Sequence, residues 1–168
     1  ENEICKNETN FKKLSVFENG KKICLFVFEN NLNLNFLLEN NDFISEIILL
    51  KFNNTEIKQS IRAINFKNTC CEDFYKIVKN KNIKINKFII QDEISYLIEY
   101  LKTNKINEIC YEFIPTGYEK DSFSLVKSKL VKENILLKET LDLFYFNAWK
   151  YCSRGYFNFK KNFIEFSD

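Results

Sequence analysis

Five short apolar runs, at residues 23–28, 47–52, 85–90, 108–113 and 135–141, constrain the fold of this chain more than any other feature. None alternates polar with apolar as a strand with one wet face would, so each reads as a strand covered on both faces. Between them lie segments of helical period: a short one at 36–41, one within 56–81, then 92–103 and 120–133. Strands separated by helices imply parallel crossovers, and the fold class that follows is α/β: a Rossmann-like, open, mostly parallel sheet of five strands with helices on both faces.

Local signals mark several boundaries. "QDEISYLIEYLKTNK" offers Asp92 as an N-cap, carries acidic residues in its first turn, sets Ile94, Leu97, Ile98 and Leu101 on one face, and ends in Lys102 and Lys105. In "FIPTGYEKD", Pro115 and Gly117 close the fourth strand and open the next helix. The expected organisation is an N-terminal arm over 1–20, an α/β domain over 21–143, and an aromatic, basic tail over 144–168. The chain opens with Glu1 and has no Met, from which a processed or partial N-terminus is expected, a removed targeting peptide being one explanation.

Composition narrows the chemistry. With 25 Lys+Arg against 23 Asp+Glu, a net charge of +2 supplies no field that would by itself draw nucleic acid. The absence of His removes Ser-His and Cys-His nucleophile systems and the usual neutral metal ligand. Three glycines cannot supply either a dinucleotide-binding Gly-rich turn or a P-loop. None of the six cysteines forms a C-x-x-C pair, and Cys24 and Cys110 lie inside apolar runs, so buried, reduced thiols are expected and no metal. Adjacent acids such as Glu72 and Asp73 read as a solvated helix surface. No apolar run approaches the length of a membrane span.

The stretch "KKICLFVFENNLNLNFLLENND" raises a sharper question, because its strand runs into a loop placed like a ligand-binding βα turn yet lacking glycine. That loop, the run at 47–52, "NEICYEFIPTGYEKDSFSLVKSKL" and "ILLKETLDLFYF" together resemble, in order, the N-terminal α/β domain of DNA photolyases and cryptochromes. Tyr118, Glu119, Val126, Leu130, Thr140 and Leu141 fit the family's "Y-E" segment, V-x-x-x-L helix and terminal T-L. "YFNFKKNFIE" is similar to the F-T-x-F-R-K-x-x-E segment of DASH-type cryptochromes, which are the most similar branch, with Tyr156, Phe159, Lys160 and Lys161 in matching places. The likeness covers about 22–165. It departs at the opening loop: Leu32 and Leu34 fit, but Asn33 stands where the family has Arg and Phe36 where it has Pro, so the turn is expected to keep its scaffold and lose its polar functional groups.

The resemblance implies that the catalytic flavin belongs to a helical C-terminal domain beyond this sequence, so light-driven repair is not expected of the chain alone. It implies a non-catalytic accessory subunit of a larger organellar complex, plastid before mitochondrion, with a photosynthetic assembly the more specific expectation and no cofactor. Trp149, Tyr156, Phe157, Phe159, Lys160 and Lys161 are the expected interface. An alternative is an antenna module that holds a folate or flavin, vestigially, at Glu29, Asn30, Asn31, Asn53 and Tyr118, on the carboxyl ends of the strands. A third is contact with single-stranded nucleic acid, or a mitochondrial ribosome, through the Lys/Phe tail.

Overall fold

A computed structural model describes residues 22–52 and 59–140. The chain divides into two compact units, one of residues 1–13 with 140–168 and the other of 14–139; the described residues belong to the second, save Thr140. Their elements are β1 (Ile23–Phe28), α1 (Leu34–Glu39), a 3-10 turn (Asn41–Phe43), β2 (Ile44–Lys51), α2 (Ile61–Asn80), β3 (Lys84–Ile89), α3 (Ile90–Thr103), β4 (Glu108–Glu112), α4 (Tyr118–Lys132) and β5 (Leu136–Thr140). The five strands form one all-parallel sheet in the order β3-β2-β1-β4-β5, a Rossmann-like α/β fold.

Alternation along β1 explains why the sequence showed none. Cys24, Phe26 and Phe28 face a cluster completed by Leu97 and Leu101 of α3 and by Phe123, Val126 and Leu130 of α4. Ile23, Leu25 and Val27 face the opposite cluster, with Leu37 of α1 and Cys71, Phe74 and Val78 of α2. The strands keep the two sets in register: Phe26 lies beside Ile48 of β2 and Tyr111 of β4, and Leu25 beside Ile47 and Cys110. Each face needs an apolar side chain, so the run must be apolar throughout. Every residue of β1 is buried.

Three helices end in the same way, which is how a chain this poor in glycine makes its turns. After α2, α3 and α4, the residues Asn82, Lys105 and Asn134 adopt φ of 56°, 55° and 60°. Each is followed by an isoleucine whose N–H returns to the helix: Ile83 to the Val78 carbonyl at 3.3 Å, Ile106 to Leu101 at 2.8 Å, Ile135 to Leu130 at 3.1 Å. These are Schellman endings, in which a left-handed residue satisfies the last carbonyls and the following apolar residue tucks onto the helix. The three receiving residues are wholly buried, so each ending also fixes where the next strand starts. Asn takes the left-handed region at lower cost than other residues with a side chain.

The start of α3 differs from the sequence expectation. The helix begins at Ile90 directly from β3, and its backbone breaks at Glu93 (φ −115°, ψ 15°) rather than being capped by Asp92. The Glu93 carboxylate reaches back and accepts the Ile89 N–H at 2.6 Å. Burial still follows the expected stripe: Leu97 and Leu101 are core, with Ile94 and Ile98 packed beside them. At the amino ends of the strands, the buried Glu46 of β2 accepts the Tyr100 hydroxyl at 2.6 Å, and Asn86 donates to that hydroxyl at 2.8 Å, tying α3 to the sheet. Among the described residues no buried side-chain polar atom lacks a partner.

The helix endings make a direct prediction. Replacing Asn134 by Val puts a β-branched side chain at φ 60° and is expected to cost about 1–2 kcal/mol. Asn134→Gly is expected to lie within about 0.5 kcal/mol of the parent or above it. Urea unfolding of the two variants checks this, and equal midpoints would show that the backbone conformation at Asn134 carries no cost.

Candidate functional site

The sheet order places a topological switch point between β1 and β4. The chain leaves β1 toward α1 on one face and leaves β4 toward α4 on the other, so the two loops diverge at the carboxyl ends. In open α/β sheets this divergence is where ligands enter. The β1 exit is a tight turn, with the Asn31 N–H bonded to the Phe28 carbonyl at 2.9 Å and the Glu29 N–H to the Leu50 carbonyl of β2 at 3.1 Å. No glycine is needed, because none of these residues has positive φ.

Polar side chains at the divergence close on one another. Glu112, the buried last residue of β4, accepts the amide of Asn31 at 3.0 Å and that of Asn33 at 2.6 Å, one on each carboxylate oxygen. Next to it the Asn30 amide donates to Glu119, in the first turn of α4. Beneath Asn31, Asn33 and Glu112 is an accessible space of about 10 Å³, no more than one water occupies. Asn31 and Asn33 remain polar, and their amides brace β1 against β4.

Glu29 lies on the other side of the same turn, buried, with its carboxylate accepting the Phe52 N–H at 3.0 Å. Lys67 of α2 stands 3.2 Å from one of its oxygens and Lys51 of β2 3.8 Å from the other. Lys51 also donates to Asn68 at 3.0 Å. Beside this group opens a cleft of about 760 Å³, walled by Leu32 and Leu34 on one side and by Ala63, Phe66, Cys70, Phe74 and Ile77 on the other. Gln59, Asn30 and Asp73 complete its rim. Its size suits a small-molecule ligand.

Of the residues expected from sequence at a cofactor rim, the structure brings Glu29 and Asn30 to this cleft and Asn31 to Glu112. Tyr118 begins α4 and sets its ring edge-on to Phe52, 6.5 Å between centroids. Asn53 lies outside the described residues, as do Trp149, Tyr156, Phe157, Phe159, Lys160 and Lys161. Sequence reasoning missed Glu112 and Lys67. An acid ending an otherwise apolar strand was the available signal for Glu112; nothing distinguishes Lys67 among the lysines of its helix.

Burial pushes the Glu119 carboxyl above its ordinary value, against the Asn30 hydrogen bond, with the nearby Glu29 adding to the rise and Lys67 opposing it. Two thiols are unsuited to nucleophilic work: burial first, then the Glu46 carboxylate, holds Cys24 well above the usual thiol range, and burial also raises Cys71. Cys24, Cys70 and Cys71 are free thiols. Among the described residues no group of three or more His, Cys, Asp or Glu is placed to hold a metal ion. Nor, among the described residues, is any helix long and apolar enough to cross a membrane.

Fold and switch point together define the described unit as a Rossmann-like α/β domain. No protein-family model matches the chain, and no curated protein matches it.

Two outcomes are expected at this site. Glu112→Leu leaves the amides of Asn31 and Asn33 without their acceptor and is expected to cost about 1–3 kcal/mol in urea unfolding, whereas loss of a solvated surface acid would cost almost nothing. Glu119 has a folded value raised above its unfolded one, so its contribution is complete below the unfolded value and is lost as pH rises through the folded one. Glu119→Gln keeps an oxygen for Asn30 and removes the titration. The variant is therefore expected to gain stability relative to the parent as pH rises from the ordinary carboxyl value through the raised one, and parallel stability curves would contradict the shift.

Proposed function

We propose that this chain is a non-catalytic domain of the photolyase and cryptochrome type, kept as an accessory structural subunit of a larger organellar protein complex. One observation carries the reading: the polar groups at the switch point are engaged with each other. Glu112 with Asn31 and Asn33, and Glu119 with Asn30, fill the divergence where an open α/β sheet would admit a ligand. What fills it joins β1 to β4 and α4, which suits a scaffold and leaves no room for reacting groups between the loops. The head of α4 at Tyr118 and Glu119 agrees with the resemblance in the sequence, where the "Y-E" segment opens that helix. A plastid photosynthetic complex is the most specific form of this reading.

The test is the native size of the protein. Organellar extract separated gently by size and probed with an antibody to this chain is expected to place it with an assembly several times its own 20.2 kDa mass. Migration of the whole pool as a monomer would refute an accessory subunit.

A further inference from the structure

The cleft beside Glu29 has a chemistry of its own, separate from the closed switch point. Its walls are apolar, with Leu32 and Leu34 of the β1 exit facing Phe66 and Ile77 of α2, and Phe66 is left 73% exposed on the rim. At its base one carboxylate, Glu29, is shared by two ammonium groups, Lys67 at 3.2 Å and Lys51 at 3.8 Å. Lys67 lines the cleft and retains 21% of its side-chain exposure, whereas Glu29 retains 3%. The cation is therefore the member of the pair open to a ligand. The surplus of positive charge is felt by the neighbouring Cys71 thiol, which Lys51, Lys67 and Lys87 all act to lower and only Glu29, among charged groups, acts to raise. Two other acids stand near the cleft, and both are engaged: Asp73 with Lys76 at 3.0 Å, and Glu119 with Asn30.

We propose that this cleft binds an amphipathic carboxylate, a small molecule whose single acid group sits on Lys67 while its apolar body lies between Leu32, Leu34, Phe66 and Ile77. Both terms are needed: the apolar walls supply affinity by burial, and the unbalanced lysine selects an anion over an alcohol of the same shape. A phosphate ester suits the site less well, because Glu29 stands beside the lysine and the apolar walls offer few further donors. The inference does not depend on the accessory reading, since ligand binding and native size are measured separately.

The test titrates the purified full chain with octanoate and with 2-naphthoate, each against its alcohol, 1-octanol and 2-naphthalenemethanol, by calorimetry. At least one acid is expected to bind once per chain, about tenfold tighter than its alcohol, as one charge-assisted contact allows. Which acid binds tells an aliphatic ligand from an aromatic one. Lys67→Gln is expected to bring the acid down to the affinity of the alcohol, and Ala63→Trp, which fills the cleft from an exposed helix position one turn before Lys67, to abolish both. Binding of neither acid, equal affinity of acid and alcohol, or binding unchanged in folded Ala63→Trp would each overturn the proposal. The acid-against-alcohol comparison uses the parent protein, so it discriminates even if Lys67→Gln fails to fold.

Discussion

Everything described in this protein depends on the burial of β1 on both faces. A strand with apolar side chains on either side is stable only when covered twice, and covering it twice with consecutive helices requires crossovers that return to the same end of the sheet. That requirement makes the neighbours parallel, puts α1 and α2 on one face and α3 and α4 on the other, and leaves the loops after β1 and β4 pointing apart. The candidate site is a geometric consequence of the core.

The repeated helix endings turn that requirement into a defined structure. Each Schellman turn at Asn82, Lys105 and Asn134 hands the chain from a buried helical residue to an isoleucine just ahead of the next strand. The same bond therefore stops a helix, satisfies its last carbonyls and sets the start of β3, β4 or β5. In a chain with so many asparagines, two of these three positions are filled by the residue that, after glycine, best tolerates the left-handed region.

At the carboxyl end of the sheet, two neighbouring groups of polar residues follow different logic. Glu112 is matched by two amides and Glu119 by one, so each carboxylate has hydrogen-bond donors where β1 meets β4 and α4. Around Glu29 the cations outnumber the acid, and the space beside them stays open between apolar walls. The first group holds elements together. The second leaves a lysine at the end of a cavity, which is the arrangement that recognises an acid on an apolar body.

The strands, the covering of both faces of β1, β2 and β4, and the parallel crossovers were legible in the amino-acid sequence, because continuous apolar runs separated by helical periods have few other stable readings; the edge strands β3 and β5 instead expose Lys84, Lys87, Leu136 and Glu139. The stripe of Ile94, Leu97, Ile98 and Leu101 was equally plain. The start of α3 was not, since the break at Glu93 comes from β3 running straight into the helix, a connection that the capping signal of Asp92 does not encode. Nor was the site: Glu112 and Asn31 are 81 residues apart, and their meeting depends on β4 lying next to β1. Runs that are apolar on both faces look alike, so the sequence alone settles that there is a sheet but not which strand neighbours which. Only the tertiary structure, by fixing that order and the side of the sheet on which α2 packs, decided that the asparagines would close one crevice and that Lys67 would open onto another.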